Sequence, residues 1–86
     1  MIKIVIVEDI KTIREGLGVL LNATDGLSCL AGYKSCEQML ENLENDQPDI
    51  ILMDIGLPGM TGIEGIKRVR EIFPDMLILI TLIIVI

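Results

Sequence analysis

Ile50-Ile51-Leu52-Met53-Asp54-Ile55-Gly56-Leu57-Pro58-Gly59-Met60-Thr61-Gly62 is the stretch that decides how this chain folds. Ile50 to Met53 is an unbroken apolar run, which predicts a strand buried on both faces, as in a parallel sheet covered by helices. Asp54 ends the run, and a loop carrying Gly56, Pro58, Gly59 and Gly62 follows. Thr61 with Glu64 three residues on forms a capping box, so a helix opens there. Ile63, Ile66, Val69 and Phe73 keep the helical period until Pro74.

Outward from this unit the same alternation recurs. Upstream, Ile4-Val5-Ile6-Val7 is a β-branched run closed at once by Glu8 and Asp9. From Ile10 the period turns helical, with Ile13, Leu17, Leu20 and Leu21 as the expected inner stripe, until Asp25-Gly26. Leu27 to Gly32 reads as a weaker strand. Ser35 and Gln38 open a second helix, with Cys36, Met39, Leu40 and Leu43 inward. Downstream, Leu77 to Ile80 is a fourth strand. The order βαβαβαβ with short crossovers predicts an α/β doubly wound parallel sheet. With the weak second strand at an edge, the strand order becomes 2-1-3-4, a flavodoxin-like arrangement.

Composition narrows the function classes. The chain has 86 residues, 13 Asp+Glu against 7 Lys+Arg, no His and a net charge of −6. That balance argues against direct nucleic-acid binding, which needs clustered basic charge. The 51% hydrophobic content excludes disorder. Cys29 and Cys36 are too few and too far apart for a disulfide framework or a CxxC site, and suit a reducing cytoplasmic setting as core thiols. No signal peptide is evident, and the longest uncharged apolar stretch, Met76 to Ile86, falls short of the ~20 residues a membrane helix needs.

Ligands of such sheets bind beyond the carboxyl ends of the strands, where the strand order reverses. Glu8 and Asp9 follow the first strand and Asp54 follows the third, its predicted neighbour, so three carboxylates are expected to converge. The plainer reading is that acids at strand ends are common and that Asp9 caps the first helix. Converging carboxylates repel and push pKa values up unless a cation lies between them. An all-oxygen donor set selects a hard cation, Mg²⁺ above others. Asp54 could then serve as a nucleophile toward a phosphoryl group.

The chain resembles the receiver domain of two-component response regulators. The resemblance rests on Ile4 to Asp9 and, more specifically, on Ile51 to Gly62, with the acid, the Pro four later and the Gly eight later in place. It implies a phosphoacceptor signalling module and no enzyme beyond self-catalysed transfer. Asp54 would take the phosphoryl group from a sensor histidine kinase. Glu8, Asp9 and Asp54 would bind Mg²⁺, with the Gly56 backbone carbonyl completing the protein ligands. Thr81 would be the hydroxyl that couples phosphorylation to conformational change. Kinase docking is expected around Lys11, Arg14 and Glu15. Two other classes fit less well. A phosphatase with an Asp nucleophile wants a second Asp two positions on, where Gly56 stands. A dinucleotide-binding domain wants a GxGxxG, and none follows the first strand.

The chain also departs from the family. A further helix, a lysine-bearing strand and a last helix are missing, and no lysine follows Lys67. The expected domain plan is a partial receiver over 1–81 and an apolar tail over 82–86, arising from truncation, a frameshift or an artificial origin. Loss of one preorganised cation of this kind costs about 2.7–4 kcal/mol in a barrier. The alternative function is therefore a switching-incompetent fragment that self-associates, as a homo-oligomer, through the exposed strand in Met76–Ile86.

Overall fold

The computed structural model describes residues 1–57 and 60–81. The expected apolar tail, 82–86, and the loop residues Pro58 and Gly59 lie outside that set. The elements are β1 (Ile2–Val7), α1 (Lys11–Asn22), β2 (Leu27–Tyr33), α2 (Cys36–Asp46), β3 (Ile50–Asp54), α3 (Gly62–Ile72) and β4 (Leu77–Thr81). The four strands form one parallel sheet in the order β2-β1-β3-β4, the flavodoxin-like arrangement expected.

Strand parity divides the interior. Val5, Val7, Ile51 and Met53 face α2 and α3, where they join Cys36, Met39, Leu43, Leu57 and Val69 in the main core. Ile4 and Ile6 point the other way and are also buried. That second face is shallower. α1 contributes no fully buried residue, and Leu20, expected on its inner stripe, is 62% exposed.

β2 carries an irregularity that the sequence does not announce. Its pairing with β1 slips between Ile4↔Cys29 and Val5↔Ala31, leaving Leu30 as an extra residue. In a regular strand, residues three apart lie on opposite faces. The bulge cancels that alternation. Cys29 and Gly32 both turn toward α1: a Cβ at Gly18 would sit 3.7 Å from Cys29 Sγ, and one at Gly32 would sit 2.9 Å from Arg14 Cγ. Tyr33 instead packs on the α2/α3 core and donates its hydroxyl to the Asp46 carboxylate. Burial and that carboxylate raise the phenol to about 12.

The capping expectations hold with one adjustment. Ser35 Oγ accepts from Gln38 N at 3.1 Å and Thr61 Oγ1 from Glu64 N at 3.2 Å. The Gln38 side chain, however, reaches back to Lys34 N at 3.2 Å, one residue earlier than a regular capping box.

α3 turns Ile66, Val69 and Phe73 toward the core as expected, but not Ile63. Gly62, Gly65 and Val69 are its buried residues, whereas Ile63 is 65% exposed. The cause is close approach to α2. A Cβ at Gly65 would meet Cys36 Sγ at 2.7 Å and Met53 Cε at 3.3 Å. Gly65→Ala should therefore destabilise the domain by about 1–3 kcal/mol through overpacking. In a Cys36→Ala background, which removes the sulfur it would strike, the cost should fall to less than half. Urea unfolding of the four variants of this cycle checks the expectation. Cys36 is fully buried, and burial followed by the nearby Glu37 charge pushes its thiol up to about 11. Cys29 is half-buried and likewise raised by burial, so both behave as packing groups.

Candidate functional site

β1 and β3 are parallel neighbours in which Val7 pairs with Met53. Each strand is apolar up to that level and acidic immediately after it. Glu8, Asp9 and Asp54 thus emerge together at the carboxyl edge of the sheet. Each offers one carboxylate oxygen, and these oxygens all lie within 4.8 Å of one another. The convergence expected from the strand order is the geometry found.

The three carboxyls have unlike surroundings. Glu8 is 2% exposed, and its backbone N–H donates to Tyr33 O at 2.9 Å. One carboxylate oxygen, Oε1, accepts from Ile10 N at 3.3 Å. The other, Oε2, is buried with no hydrogen-bond partner. An unpartnered buried carboxylate oxygen is costly. Burial is the main reason the Glu8 carboxyl rises from 4.5 to about 7. The neighbouring Asp54 carboxylate, which favours the protonated form, and the charges of Asp54 and Asp9 add to the rise, against the Ile10 N–H. Asp9 is exposed and Asp54 half-buried.

Asp9 does not cap α1. The N-cap is Ile10, with no side-chain hydrogen bond to the helix, so the Asp9 carboxylate stays with the acid group. The turn is held instead by Arg14, whose Nη1 donates to Glu8 O at 2.8 Å and, more weakly, toward Asp9 O at 3.5 Å. Arg14, expected on a docking surface, is half-buried and directed into this turn. Lys11 pairs instead with Glu15 at 3.9 Å on the exposed face, a contact worth little.

Gly56 donates its N–H to Asp54 Oδ1 at 3.1 Å, fixing one oxygen of that carboxylate. Thr81 is the register partner of Asp54. Its hydroxyl donates to Met53 O at 3.3 Å, and its carbonyl accepts from Ile55 N at 3.1 Å. Thr81 therefore sits one strand away from Asp54, engaged with backbone. Among the described residues, no lysine or arginine forms an ion pair with the three carboxylates. A buried unpartnered oxygen, an all-oxygen donor set and uncompensated negative charge together fit a hard divalent cation.

Residues 4–82 match the family described as the response regulator receiver domain. The chain belongs to that family. Among relatives, this receiver is 37% identical over 79 residues to the transcriptional regulatory protein LnrK of Bacillus subtilis (strain 168), covering 92% of this chain and 36% of that one. It is 35% identical over 79 residues to a protein-glutamate methylesterase/protein-glutamine glutaminase of Paramagnetospirillum magneticum, covering 92% of this chain and 22% of that one. Among solved structures, a LuxR-family two-component response regulator from Aurantimonas sp. SI85-9A1 superposes with a TM-score of 0.88 at 29% identity, over 96% of this chain and 59% of that one. The receiver thus spans 36% or less of these two curated relatives. Receiver domains bind Mg²⁺ at an acidic pocket, and this one carries a Glu/Asp/Asp group. No helix among the described residues is long and apolar enough to cross a membrane.

Proposed function

We propose that this receiver accepts a phosphoryl group on Asp54, with Mg²⁺ held by Glu8, Asp9, Asp54 and the Gly56 backbone carbonyl. The observation that carries the proposal is the gathering of three carboxylates, one oxygen of each within 4.8 Å of the others, one of which also carries a buried oxygen with no partner. In the transfer, an Asp54 carboxylate oxygen attacks phosphorus. The new O–P bond forms as the donor's P–N bond breaks, and the imidazole nitrogen of a sensor histidine kinase leaves and takes a proton from solvent. A bound divalent ion supplies neutralisation of charge on the phosphoryl oxygens. This chain's residues supply the positioning. The Gly56 N–H holds one carboxylate oxygen of Asp54. Thr81, level with Asp54 on β4, would exchange its bond to Met53 O for one to the phosphoryl group. On this reading the chain works in the cytoplasm, as a signalling module and not an enzyme with a turnover of its own. Intact mass after incubation with a small acyl phosphate and Mg²⁺ tests it.

The domain plan and the self-association belong to the same proposal, with residues 1–81 as the receiver portion. Among the described residues β4 is an edge strand, and it carries no charged residue. Leu77, Leu79 and Ile80 on it are 54%, 47% and 45% exposed. Exposed apolar edges without charge or proline pair with other chains, and the occupant that matches this one is β4 of a second copy. Sedimentation at micromolar concentration should show a dimer that Leu79→Lys shifts to monomer. A monomer with the wild-type chain contradicts the pairing.

A further inference from the structure

With its aspartate not used as a helix cap, the Glu8–Asp9 turn needs another anchor. Residues on α1 and β2 supply one. Arg14, one turn into α1, sends its guanidinium back to the Glu8 carbonyl at 2.8 Å. To get there, its aliphatic stem crosses β2 at Gly32, where a Cβ would lie 2.9 Å from Cγ and 3.1 Å from Cδ. Gly32 has no positive φ that would call for glycine. The space for the arginine stem is therefore what the missing side chain provides. Gly32 faces α1 only because the bulge at Leu30 shifts the parity of β2.

We infer that Arg14 is a positioning residue for the acidic turn, and that the Leu30 bulge and Gly32 form the channel through which it reaches. The inference rests on the Mg²⁺ reading of Glu8 and Asp9. By tying down the Glu8 carbonyl, Arg14 keeps the helix start closed without recruiting a carboxylate, so both carboxylates remain available to the cation. Groups that orient ligands in this way typically change metal affinity by about 10–100-fold when removed. The direction of the change separates positioning from charge. Deleting a nearby positive charge by itself strengthens cation binding, whereas loosening the ligands weakens it.

The test is Mg²⁺ titration of the 86-residue chain by calorimetry, for wild type, Arg14→Ala, Gly32→Ala and the double variant, with amide exchange of Ile10 read in the metal-free protein. Arg14→Ala should bind Mg²⁺ about 10-fold or more weakly. Gly32→Ala should weaken it in the same direction, because its methyl displaces the arginine stem. The Gly32 substitution should have no further effect once Arg14 is alanine. In the metal-free state the Ile10 N–H, which donates to Glu8 Oε1, should exchange faster in both single variants. Unchanged or tighter Mg²⁺ binding in Arg14→Ala overturns the inference while leaving the metal site standing. So does a Gly32→Ala effect of equal size in both backgrounds. If Arg14→Ala fails to fold, Gly32→Ala alone decides by its Mg²⁺ affinity and Ile10 exchange. A wild-type chain that takes up no Mg²⁺ overturns the reading beneath the inference, and with it the inference.

Discussion

Asp54→Asn should abolish phosphoryl uptake outright. Incubated with a small acyl phosphate and Mg²⁺, the wild-type chain should gain the mass of one phosphoryl group, and the variant should gain none. The amide oxygen of asparagine is a poor nucleophile and cannot form the mixed anhydride that a carboxylate forms. Glu8→Gln and Asp9→Asn keep the nucleophile but remove charge from the cation site. Each should slow uptake by about 100-fold or more, the range for losing one preorganised electrostatic contact. Phosphoryl gain that persists in Asp54→Asn would assign the acceptor elsewhere. The same variant has a second, opposite consequence for stability. Asp54 is one of the groups that hold the Glu8 carboxyl up at about 7. Its neutralisation should lower that value and make the metal-free protein more stable above neutral pH.

The stability of the metal-free domain should fall as pH rises from about 5 to 8, opposite to the usual carboxylate trend. The sign follows from Glu8. Its carboxyl titrates at 4.5 as an unperturbed group and at about 7 in the fold. Between those values the native state binds a proton that the unfolded chain has released. Stability from this group is therefore fully present below 4.5 and lost as pH passes 7. A tenfold change in proton affinity is worth about 1.36 kcal/mol, so the shift from 4.5 to about 7 amounts to a loss of roughly 3 kcal/mol. Glu8→Gln should flatten the profile. Saturating Mg²⁺ should remove the loss as well, because the cation binds the ionised form of the native state. Thermal or urea midpoints measured at about pH 5, 6.5 and 8, with and without Mg²⁺, check the whole pattern.

Much of this site is legible in the sequence because the relevant transitions are abrupt. Val7 to Glu8 and Met53 to Asp54 each pass from a buried run to an acid in one step, and strand order then brings the two ends together. The features that were not legible depend on packing distance and register. The hydrophobic period favours Ile63 as an inner residue of α3. The helices approach so closely that glycines line the contact instead, and Ile63 is turned outward. The Leu30 bulge has no glycine, proline or charge to mark it, since Ser28-Cys29-Leu30-Ala31 is compatible with a regular strand. Without the bulge, Gly32 would face α2, and the part played by Arg14 has no expression in the sequence pattern. Asp9 illustrates the same limit: a strand-end Asp before a helix is the usual cap, and only the observed turn shows that Ile10 occupies that position.

Whether Glu8, Asp9 and Asp54 form one divalent-cation site is decided by Mg²⁺ binding measured calorimetrically in buffers of different ionisation enthalpy. With Glu8 near 7 in the metal-free protein, each Mg²⁺ bound at about pH 7 should release about half a proton, falling toward zero by about pH 8.5. Both the binding and the release should disappear in Glu8→Gln. Mg²⁺ binding with no proton release near neutral pH, or binding that survives unchanged in that variant, would contradict the shared site.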